Sequence, residues 1–311
     1  MQLKELQRLA VLAVVFASVV LVGDRALSFI LEKAVAASHN RHVSMYTGKA
    51  GGDVLVVGNS RADRHFPPRM IHDLTDLSVV NVGLGGVSMR MSEILVKDYL
   101  DRYPPPKLLV IEASNLGADP GEIGDMRLFM IYSERIRLLE RELRPHLYYV
   151  GEVFHLFRFN NFMFVRTLYE LRERQSDRLH RGVISDAVLE RLARSEGVIE
   201  EELPEPHPEN VEAFQRLLAY AAELDIPTRA VVTPYLHLPD RDRTTRYQWL
   251  TDEIDAVAGP ERRVWDYSHA VEDTAGFRDP VHLNAQGVEM MLRTMMDDGF
   301  FESSAPNLAA H

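Results

Sequence analysis

Short apolar runs recur along the chain, and each is followed by glycine or polar residues. Five of them have the length of buried strands; they lie at 53–58, 78–83, 107–113, 227–234 and 262–268, and the first, DVLVVG, is rich in β-branched residues. Between them, residues 88–103 and 208–224 carry apolar side chains at helical spacing. Alternating strands and helices predict a three-layer α/β/α fold, with an open, parallel, five-stranded sheet of the flavodoxin-like kind.

The interval between the third and fourth predicted strands is too long for one crossover helix. It holds a helical insertion at about 117–203, in which the apolar pattern predicts helices over 126–143, 147–180 and 186–195. The stretch 153–165, VFHLFRFNNFMFV, is both aromatic and basic. We interpret it as a helix that packs on the domain, and the alternatives are a cap over the active site or a surface resting on a membrane.

The amino-terminal segment is uncharged for 15 residues, from Leu9 to Gly23. Fifteen helical residues span only about 22 Å, less than the roughly 30 Å of a bilayer core, so a membrane span would run from Leu9 to Leu31 with Arg25 reaching the interface. The alternatives are a signal peptide cleaved after Ala36 and a buried helix of a soluble protein. We favour an uncleaved transmembrane helix, because the small-residue cleavage site lies well beyond Gly23, behind charged residues.

These patterns predict four parts of the chain. Residues 1–36 form the membrane anchor and its flank, 37–52 a linker, 53–301 the α/β domain with its insertion, and 302–311 a flexible tail. The basic residues on the two sides of the predicted span are balanced. Charge alone therefore does not orient the anchor.

Composition excludes several function classes. With 35 basic and 46 acidic residues the net charge is −11, so nucleic acid is not an expected partner. Cysteine is absent, which excludes disulfides, thiolate metal sites and a cysteine nucleophile. The 12 histidines form no His-x-x-x-His pattern, and we expect neither a metal nor any other cofactor.

Polar motifs follow four of the five predicted strands. They are GNSR at 58–61, NVGLGG at 81–86, ASN at 113–115 and DPVH at 279–282. Because the carboxyl ends of parallel strands meet at one edge of a sheet, we expect these motifs to lie close together. A serine, a histidine and an aspartate at one site are typical of a hydrolase that uses a serine nucleophile.

In sequence and in order, the four motifs resemble the blocks of the SGNH/GDSL hydrolase superfamily. The resemblance covers about residues 52–298, apart from the insertion. It implies an ester hydrolase, deacylase or O-acyltransferase. The chain departs from the usual pattern at Asn59, where aspartate is usual, and at Ser114, where glycine is common.

The resemblance implies catalytic roles for three residues. Ser60 is the nucleophile, His282 takes its proton, and Asp279 holds the imidazole in the correct tautomer. Pro280 disfavours a helical conformation at Asp279, so DPVH is predicted to be an extended turn that directs both side chains towards the serine.

The resemblance also implies an oxyanion hole formed by the backbone N–H groups of Ser60 and Gly86 and the side-chain amide of Asn115. Two alternatives remain open: Ser60 could be only a helix N-cap, and the glycines of 81–86 could be a dinucleotide turn. Asn284 is predicted to cap the helix that follows it.

Three further residues are predicted to contact the substrate: Arg61, Arg64 and His237. Together with His65, Arg61 and Arg64 form a cationic fringe beside the nucleophile, which would suit an anionic or sugar substrate. The alternatives are a solvated surface for the arginines and a loop cap for His237. His237 is also the second candidate for the catalytic base.

Members of the superfamily that combine such an anchor with an insertion resemble bacterial proteins linked to acylation of cell-surface polysaccharides. This resemblance implies an acylated carbohydrate or other ester as substrate, an extracytoplasmic (periplasmic) domain and a membrane-bound acyltransferase as partner. The alternatives are a catalytically weak binding or accessory module of the same fold and a secreted lipase or thioesterase. The acyl group and its acceptor stay open.

Overall fold

The computed structural model describes residues 3–171, 179–194, 206–236, 252, 255–256 and 264–302. The chain forms two compact units. The helical unit consists of Met1–Thr47 and Asp125–Gln175, and the sheet unit consists of Gly48–Gly124 and Ser176–His311.

The described helices and strands are named here in chain order. The α-helices are α1 (Leu3–Ala36), α2 (Arg41–Tyr46), α3 (Ser60–His65), α4 (Pro68–Thr75), α5 (Met89–Leu100), α6 (Glu134–Leu143), α7 (Pro145–Val153), α8 (Phe162–Tyr169), α9 (Asp186–Arg194), α10 (Pro208–Glu223) and α11 (Ala285–Asp297). The strands are β1 (Val54–Val57), β2 (Val79–Asn81), β3 (Leu108–Glu112), β4 (Thr228–Val232), β5 (Trp265–Asp266), β6 (Phe277–Asp279) and β7 (His282–Leu283). Short 3₁₀ helices cover Ala113–Gly117, Met126–Ile131, His155–Phe159 and Thr274–Gly276.

The sheet unit is built on a parallel sheet with the spatial order β2-β1-β3-β4-β5. This is the order of flavodoxin-like doubly wound sheets, and it confirms the predicted fold class and all five predicted strands. The central strands β1 and β3 are buried along their whole length, which explains why their sequences are continuously apolar rather than alternating. β6 and β7 form a separate antiparallel pair.

Helices flank the sheet, as predicted. α3, α4 and α11 contribute to a buried cluster with one set of strand side chains, which includes Val54, Val56, Leu108 and Val110. α5 and α10 pack against each other and contact β1 and β4. Each fully buried aliphatic side chain stabilises such a core by about 1.5–3 kcal/mol relative to exposure. This packing holds the ends of β1, β2 and β3, which carry three of the four motifs.

In the helical unit, α1 is one continuous helix of 34 residues. Its most apolar 18-residue window has a mean hydropathy of 2.2, and none of that window is buried. The helix thus has the length and composition of a membrane anchor or of a signal sequence.

The predicted helices over 126–143 and 147–180 are interrupted in the structure. α6 starts at a cap formed by Ser133, whose Oγ accepts from the Ile136 N–H at 3.1 Å. Pro145 is the first residue of α7, and Asn161 caps α8 by accepting from the Phe164 N–H at 2.9 Å. These local start signals override the longer apolar pattern. The outer boundaries of the predicted insertion stay a prediction.

Candidate active site

The nucleophile candidate, Ser60, is the first residue of α3 and directly follows the turn after β1. The helix is capped by Asn59, whose Oδ1 accepts from the Arg61 N–H at 2.8 Å. The alternative in which Ser60 caps the helix is therefore wrong, because the preceding residue does so. The Ser60 hydroxyl is left to contact the side chains around it.

The glycine of the GNSR motif is required by close packing. Gly58 has φ +143°, and a Cβ there would lie 2.8 Å from the Glu112 carbonyl oxygen and 2.9 Å from Ala62 Cβ. No larger residue fits without moving β3 or α3. The tight turn brings Ser60 close to the end of the neighbouring strand.

Ser60, His282 and Asp279 form a continuous chain of hydrogen bonds, and we call them the reactive trio. His282 Nε2 lies 2.9 Å from Ser60 Oγ, while His282 Nδ1 lies 2.9 and 3.0 Å from the two carboxylate oxygens of Asp279. A carboxylate can only accept, so Nδ1 carries the proton and Nε2 can accept from the serine hydroxyl. This is the geometry of a serine nucleophile with its base and orienting acid.

The Asp-Pro-Val-His turn holds the last two members of this trio. β6 and β7 pair in antiparallel register with Asp279 opposite His282, so the prediction of an extended turn is confirmed. Asp279 Oδ1 also accepts from the N–H groups of Val281 at 3.1 Å and His282 at 2.9 Å. An open surface depression is lined by Asp279, Pro280, Val281 and His282 among the described residues.

Two opposing effects act on the Asp279 carboxyl. Burial raises its pKa, but the hydrogen bond and the charge of His282 lower it, together with the N–H groups of Val281 and His282. The net pKa of Asp279 lies below its ordinary value. The group is therefore ionised at neutral pH, as an orienting carboxylate needs to be. Its side chain is 34% exposed and that of His282 is 13% exposed.

The NVGLGG motif passes close to the serine. A Cβ at Gly85 would lie 3.5 Å from Ser60 Cβ, whereas a Cβ at Gly86 would meet nothing within 4 Å. Gly86 has φ +67°, a conformation that side chains rarely adopt. The structure thus places this exposed turn beside Ser60, and the donor role of the Gly86 N–H stays a prediction.

The Asn115 side chain is engaged in hydrogen bonds of its own. Asn115 lies in the 3₁₀ helix after β3 and is only 1% exposed. Its Nδ2 donates to the Val87 carbonyl at 3.3 Å and to Ser92 Oγ at 3.2 Å. Both amide hydrogens are thus engaged in supporting the loop that contains Gly86, and donation to an oxyanion would require these bonds to be exchanged.

Arg61 is buried, which corrects its predicted role as a substrate contact. Its Nε lies 3.2 Å from Glu112 Oε1, its Nη2 donates to the Thr233 carbonyl, and its guanidinium stacks 3.5 Å from the centre of the Tyr235 ring. Successive residues on an α-helix are rotated by about 100°. Ser60 therefore lies at the edge of the sheet while its neighbour Arg61 extends into the interior.

The hydrogen bonds described above do not test the predicted substrate contacts of Arg64 and His237. Arg64 lies on α3 and is partly exposed. Its charge is among those that lower the pKa of His180, after burial and the charge of Arg278. His237 lies outside the described residues. Both roles stay predictions.

The sequence suggests that His65 on α3 is part of a cationic fringe, but the structure buries its side chain completely. The Nε2 of His65 accepts from the Leu283 N–H at 3.0 Å, so Nδ1 carries the proton and donates to Thr233 Oγ1 at 2.8 Å. Burial, followed by the charges of Arg61 and His282, lowers the pKa of His65 well below its ordinary value. This neutral ring fixes the backbone next to His282. The i,i+4 spacing from Arg61 was the available signal, because it places both side chains on one face of the helix.

We call Arg61, His65, Glu112 and Thr233 the buried network. Thr233 Oγ1 lies 3.4 Å from Glu112 Oε1, and this contact joins the histidine to the ion pair. Ser114 extends the network outwards, because its Oγ donates to Glu112 Oε2 at 2.6 Å and accepts from Asn59 Nδ2 at 3.3 Å. The two departures from the superfamily pattern, at positions 59 and 114, are thus in contact with each other.

One remaining expectation can be compared with the described residues. Asn284 caps α11 as predicted, with its Oδ1 accepting from the N–H groups of Gln286 and Gly287 at 3.0 and 3.1 Å. Within the described part of the chain, no group of three or more His, Asp or Glu side chains is arranged to hold a metal ion.

Comparisons with known proteins add little to this geometry. The sequence matches no family model and no curated protein. A solved structure described as "a putative platelet activating factor from Streptococcus pneumonia" is similar with a TM-score of 0.41 and 12% sequence identity, over 92% of this chain and 98% of that one. Similarity at this level carries no argument about activity, so the function is inferred from the site itself.

Proposed function

We propose that this protein is a serine esterase or O-acyltransferase of the SGNH type. The observation that carries the proposal is the hydrogen-bond chain from Ser60 Oγ through His282 to Asp279. The order of the four motifs along the chain supports it, because three of them lie at the carboxyl ends of β1, β2 and β3 and the fourth forms the turn between β6 and β7. A serine hydroxyl alone is a weak nucleophile at neutral pH, and this chain supplies the base that it needs.

The reaction follows from the placement of the trio. Ser60 Oγ attacks the acyl carbon of the ester while His282 Nε2 takes its proton. The alcohol then leaves with that proton, and the acyl group stays on Ser60. Water or a sugar hydroxyl, deprotonated in turn by His282, releases the acyl group and restores the serine. Asp279 stabilises the imidazolium that forms in both steps.

Backbone N–H groups are the proposed donors to the oxyanion. Ser60 is the first residue of α3, so its N–H has no acceptor within the helix. The turn containing Gly86 passes beside Ser60 and would supply a second N–H. Asn115, the third predicted donor, supports that turn through Val87 in the free protein. Removal of one oxyanion donor typically lowers the rate about 100- to 1000-fold.

We further propose that α1 is retained as a single-pass membrane anchor. Asp24 accepts from the N–H groups of His155 at 2.8 Å and Leu156 at 3.0 Å, so α1 is part of the helical unit. Cleavage after Ala36 would remove this carboxylate and leave both N–H groups without their acceptor. These contacts favour the anchor over a signal peptide, and hence over a secreted lipase or thioesterase.

The substrate proposal rests on the resemblance. We propose an ester on a carbohydrate outside the cytoplasm, such as an O-acetyl group, with a membrane-bound acyltransferase as partner. The second candidate function is a catalytically weak binding or accessory module of a polysaccharide-modifying complex. This candidate is favoured because both Asn115 amide hydrogens are bonded to Val87 and Ser92. The oxyanion hole then has two donors instead of three.

Hydrolysis of p-nitrophenyl acetate by the full chain in detergent tests the enzyme proposal. Wild type should hydrolyse the ester, and Ser60→Ala should lose the activity with a nearly unchanged melting temperature, since a half-buried hydroxyl is removed. Ser114→Ala is the matched control, because Ser114 is a second serine at the same sheet edge whose hydroxyl is bonded to Glu112. Equal activity of wild type and Ser60→Ala would refute the proposal, and an inactive wild type would favour the binding module.

A further inference from the structure

Beyond the uncharged segment, α1 has two different faces. Asp24 and Ser28 are 5% and 1% exposed and pack into the helical unit, whereas Phe29 and Ile30 are 59% and 60% exposed. One face of the helix therefore stays apolar and uncovered up to Ile30. The 22 residues from Leu9 to Ile30 span about 33 Å as a helix, which matches a bilayer core of roughly 30 Å.

The end of α7 lies beside α1 at the level of Asp24. The Asp24 carboxylate accepts from the His155 and Leu156 N–H groups, and Arg25 Nη1 donates to the Val153 carbonyl at 3.2 Å. These bonds fix the depth of this segment along α1. Along α1, the end of α7 therefore lies nearer to the uncharged segment than Phe29 and Ile30 do.

The same end of α7 has an exposed apolar surface, which we call the α7 patch. It consists of Tyr149, Val150, Val153 and Phe154, which are 55%, 41%, 51% and 43% exposed. Tyr149, Val150 and Val153 lie at i, i+1 and i+4, on one side of α7. Adjacent apolar residues that remain exposed on a folded unit commonly mark a contact surface.

We propose that the α7 patch lies in the interfacial layer of the bilayer that α1 crosses. The proposal rests on the proposed anchoring by α1. The patch lies beside α1, because hydrogen bonds join Val153 and His155 to Arg25 and Asp24. Tyr149 and Arg25 are of the residue types that favour this layer, because their side chains combine an apolar body with a polar or charged tip. A lipid surface is thus the partner that fits the patch.

α8 provides a contrast within the same unit. Its exposed apolar residues include Tyr169, which is 78% exposed. The end of α8 lies beside the end of α1, because the Glu170 carbonyl accepts from the His39 N–H at 3.1 Å. Residue 36, where α1 ends, is 12 helical residues or about 18 Å beyond Asp24. We therefore expect Tyr169 to lie outside the interfacial layer.

Depth-dependent quenching tests this placement. The chain contains no cysteine, so Val15→Cys, Phe154→Cys and Tyr169→Cys can each carry a single NBD fluorophore. All three side chains are exposed, and the substitutions should leave the fold intact. The full-length variants are reconstituted in phosphatidylethanolamine and phosphatidylglycerol vesicles. Part of the lipid carries a nitroxide, either near the headgroup or deep in the acyl chain.

We expect NBD at position 154 to show blue-shifted emission and its largest loss of fluorescence with the nitroxide near the headgroup. NBD at position 15 should lose most fluorescence with the nitroxide deep in the acyl chain. Position 169 should show neither effect. Loss at position 15 without loss at 154 would overturn the α7 proposal and leave the anchor in place. No loss at position 15 would instead refute the anchor. A blue shift at 154 without quenching would indicate a protein contact, and equal loss at 154 and 169 would contradict the assigned depth.

Discussion

Ser60 and Arg61 are neighbours on one short helix, but they belong to two differently built regions. The reactive trio lies at the edge of the sheet, and its aspartate and histidine remain partly exposed. The buried network lies beneath it: the side chains of Arg61 and Glu112 are 4% and 0% exposed, and Thr233 joins them to the neutral His65. The reactive trio keeps the Ser60 hydroxyl accessible, whereas the buried network holds α3 and the ends of β3 and β4 together.

The difference assigns different consequences to substitutions in the two regions. A side chain of the reactive trio can be changed without opening a cavity or leaving a charge in the interior, so the rate should fall and the stability should not. The buried network combines the Arg61–Glu112 ion pair with a fully buried histidine, and the Tyr235 ring stacks on the arginine. Removing one of its members should lower the free energy of unfolding.

The largest expected effect comes from Asp279→Asn in the reactive trio. The amide cannot act as a charged acceptor for His282 Nδ1–H, so the histidine loses its orientation and the support for its positive charge. We expect ester hydrolysis to fall on the order of 10⁴-fold with a similar melting temperature. Asp273→Asn is the control, because Asp273 caps the short helix Thr274–Gly276. A similar loss in both variants would argue against a specific role of Asp279.

Arg61→Met tests the buried network. It leaves the Glu112 carboxylate in the interior without its cation, and we expect the free energy of unfolding to fall by about 3–5 kcal/mol. Adding Glu112→Gln should recover part of this loss in chemical denaturation, since the uncompensated charge is then removed. Unchanged stability with a raised KM would instead make Arg61 the substrate contact that the sequence suggested.

The sequence predicts the fold well because its signals are local and strong. Five short apolar runs, each followed by glycine or polar residues, lie where the structure has β1 to β5. Their order also places Ser60 and the NVGLGG turn at one edge, since the carboxyl ends of parallel strands meet there. His282 reaches that edge from the separate β6–β7 pair. Pro280 predicts the extended turn for a reason that involves only its neighbours in the chain.

The orientation of side chains is what the sequence does not predict. Arg61 was assigned to the substrate because it follows the nucleophile, yet helical rotation turns it into the interior. Asn115 follows β3 as expected, but its amide is directed by Val87 and Ser92, which are remote in sequence. The long apolar pattern of 147–180 likewise predicted one helix, although Asn161 caps a new helix within it.

Asn115→Ala determines to which region this residue belongs. If its amide supports the loop through Val87, the variant should lose about 1–3 kcal/mol of stability, because a buried carbonyl is left without its donor. Its rate should then fall less than the roughly 100-fold that marks the loss of an oxyanion donor. Denaturation and kinetics on the same sample give both values. A 100-fold or larger loss with unchanged stability would assign Asn115 to the oxyanion hole beside the reactive trio.

The smallest expected effect is a change in the pH dependence of stability in His65→Gln. The folded protein keeps His65 neutral, whereas an unfolded histidine takes up a proton below about pH 6.5. Stability should therefore fall as the pH drops below that value, by at most about 1.4 kcal/mol per pH unit for this residue, until the folded-state pKa is reached.

Glutamine does not titrate, so the acid-side fall should be shallower in His65→Gln than in wild type. Urea denaturation at pH 5, 6, 7 and 8 compares the two curves. Parallel curves would show that His65 takes up its proton equally in the folded and unfolded states, which contradicts its burial as a neutral ring.

Reaction of Ser60 with a fluorophosphonate measures directly whether its hydroxyl is activated by His282. Mass spectrometry of peptides from the labelled full chain locates the adduct and gives its rate of formation. The hydrogen bond of 2.9 Å between Ser60 Oγ and His282 Nε2 predicts an adduct on Ser60 in wild type and in Ser114→Ala, and a rate strongly reduced in His282→Ala. A wild-type chain without an adduct on Ser60, or an equal rate in His282→Ala, would contradict the assignment of the nucleophile and its base.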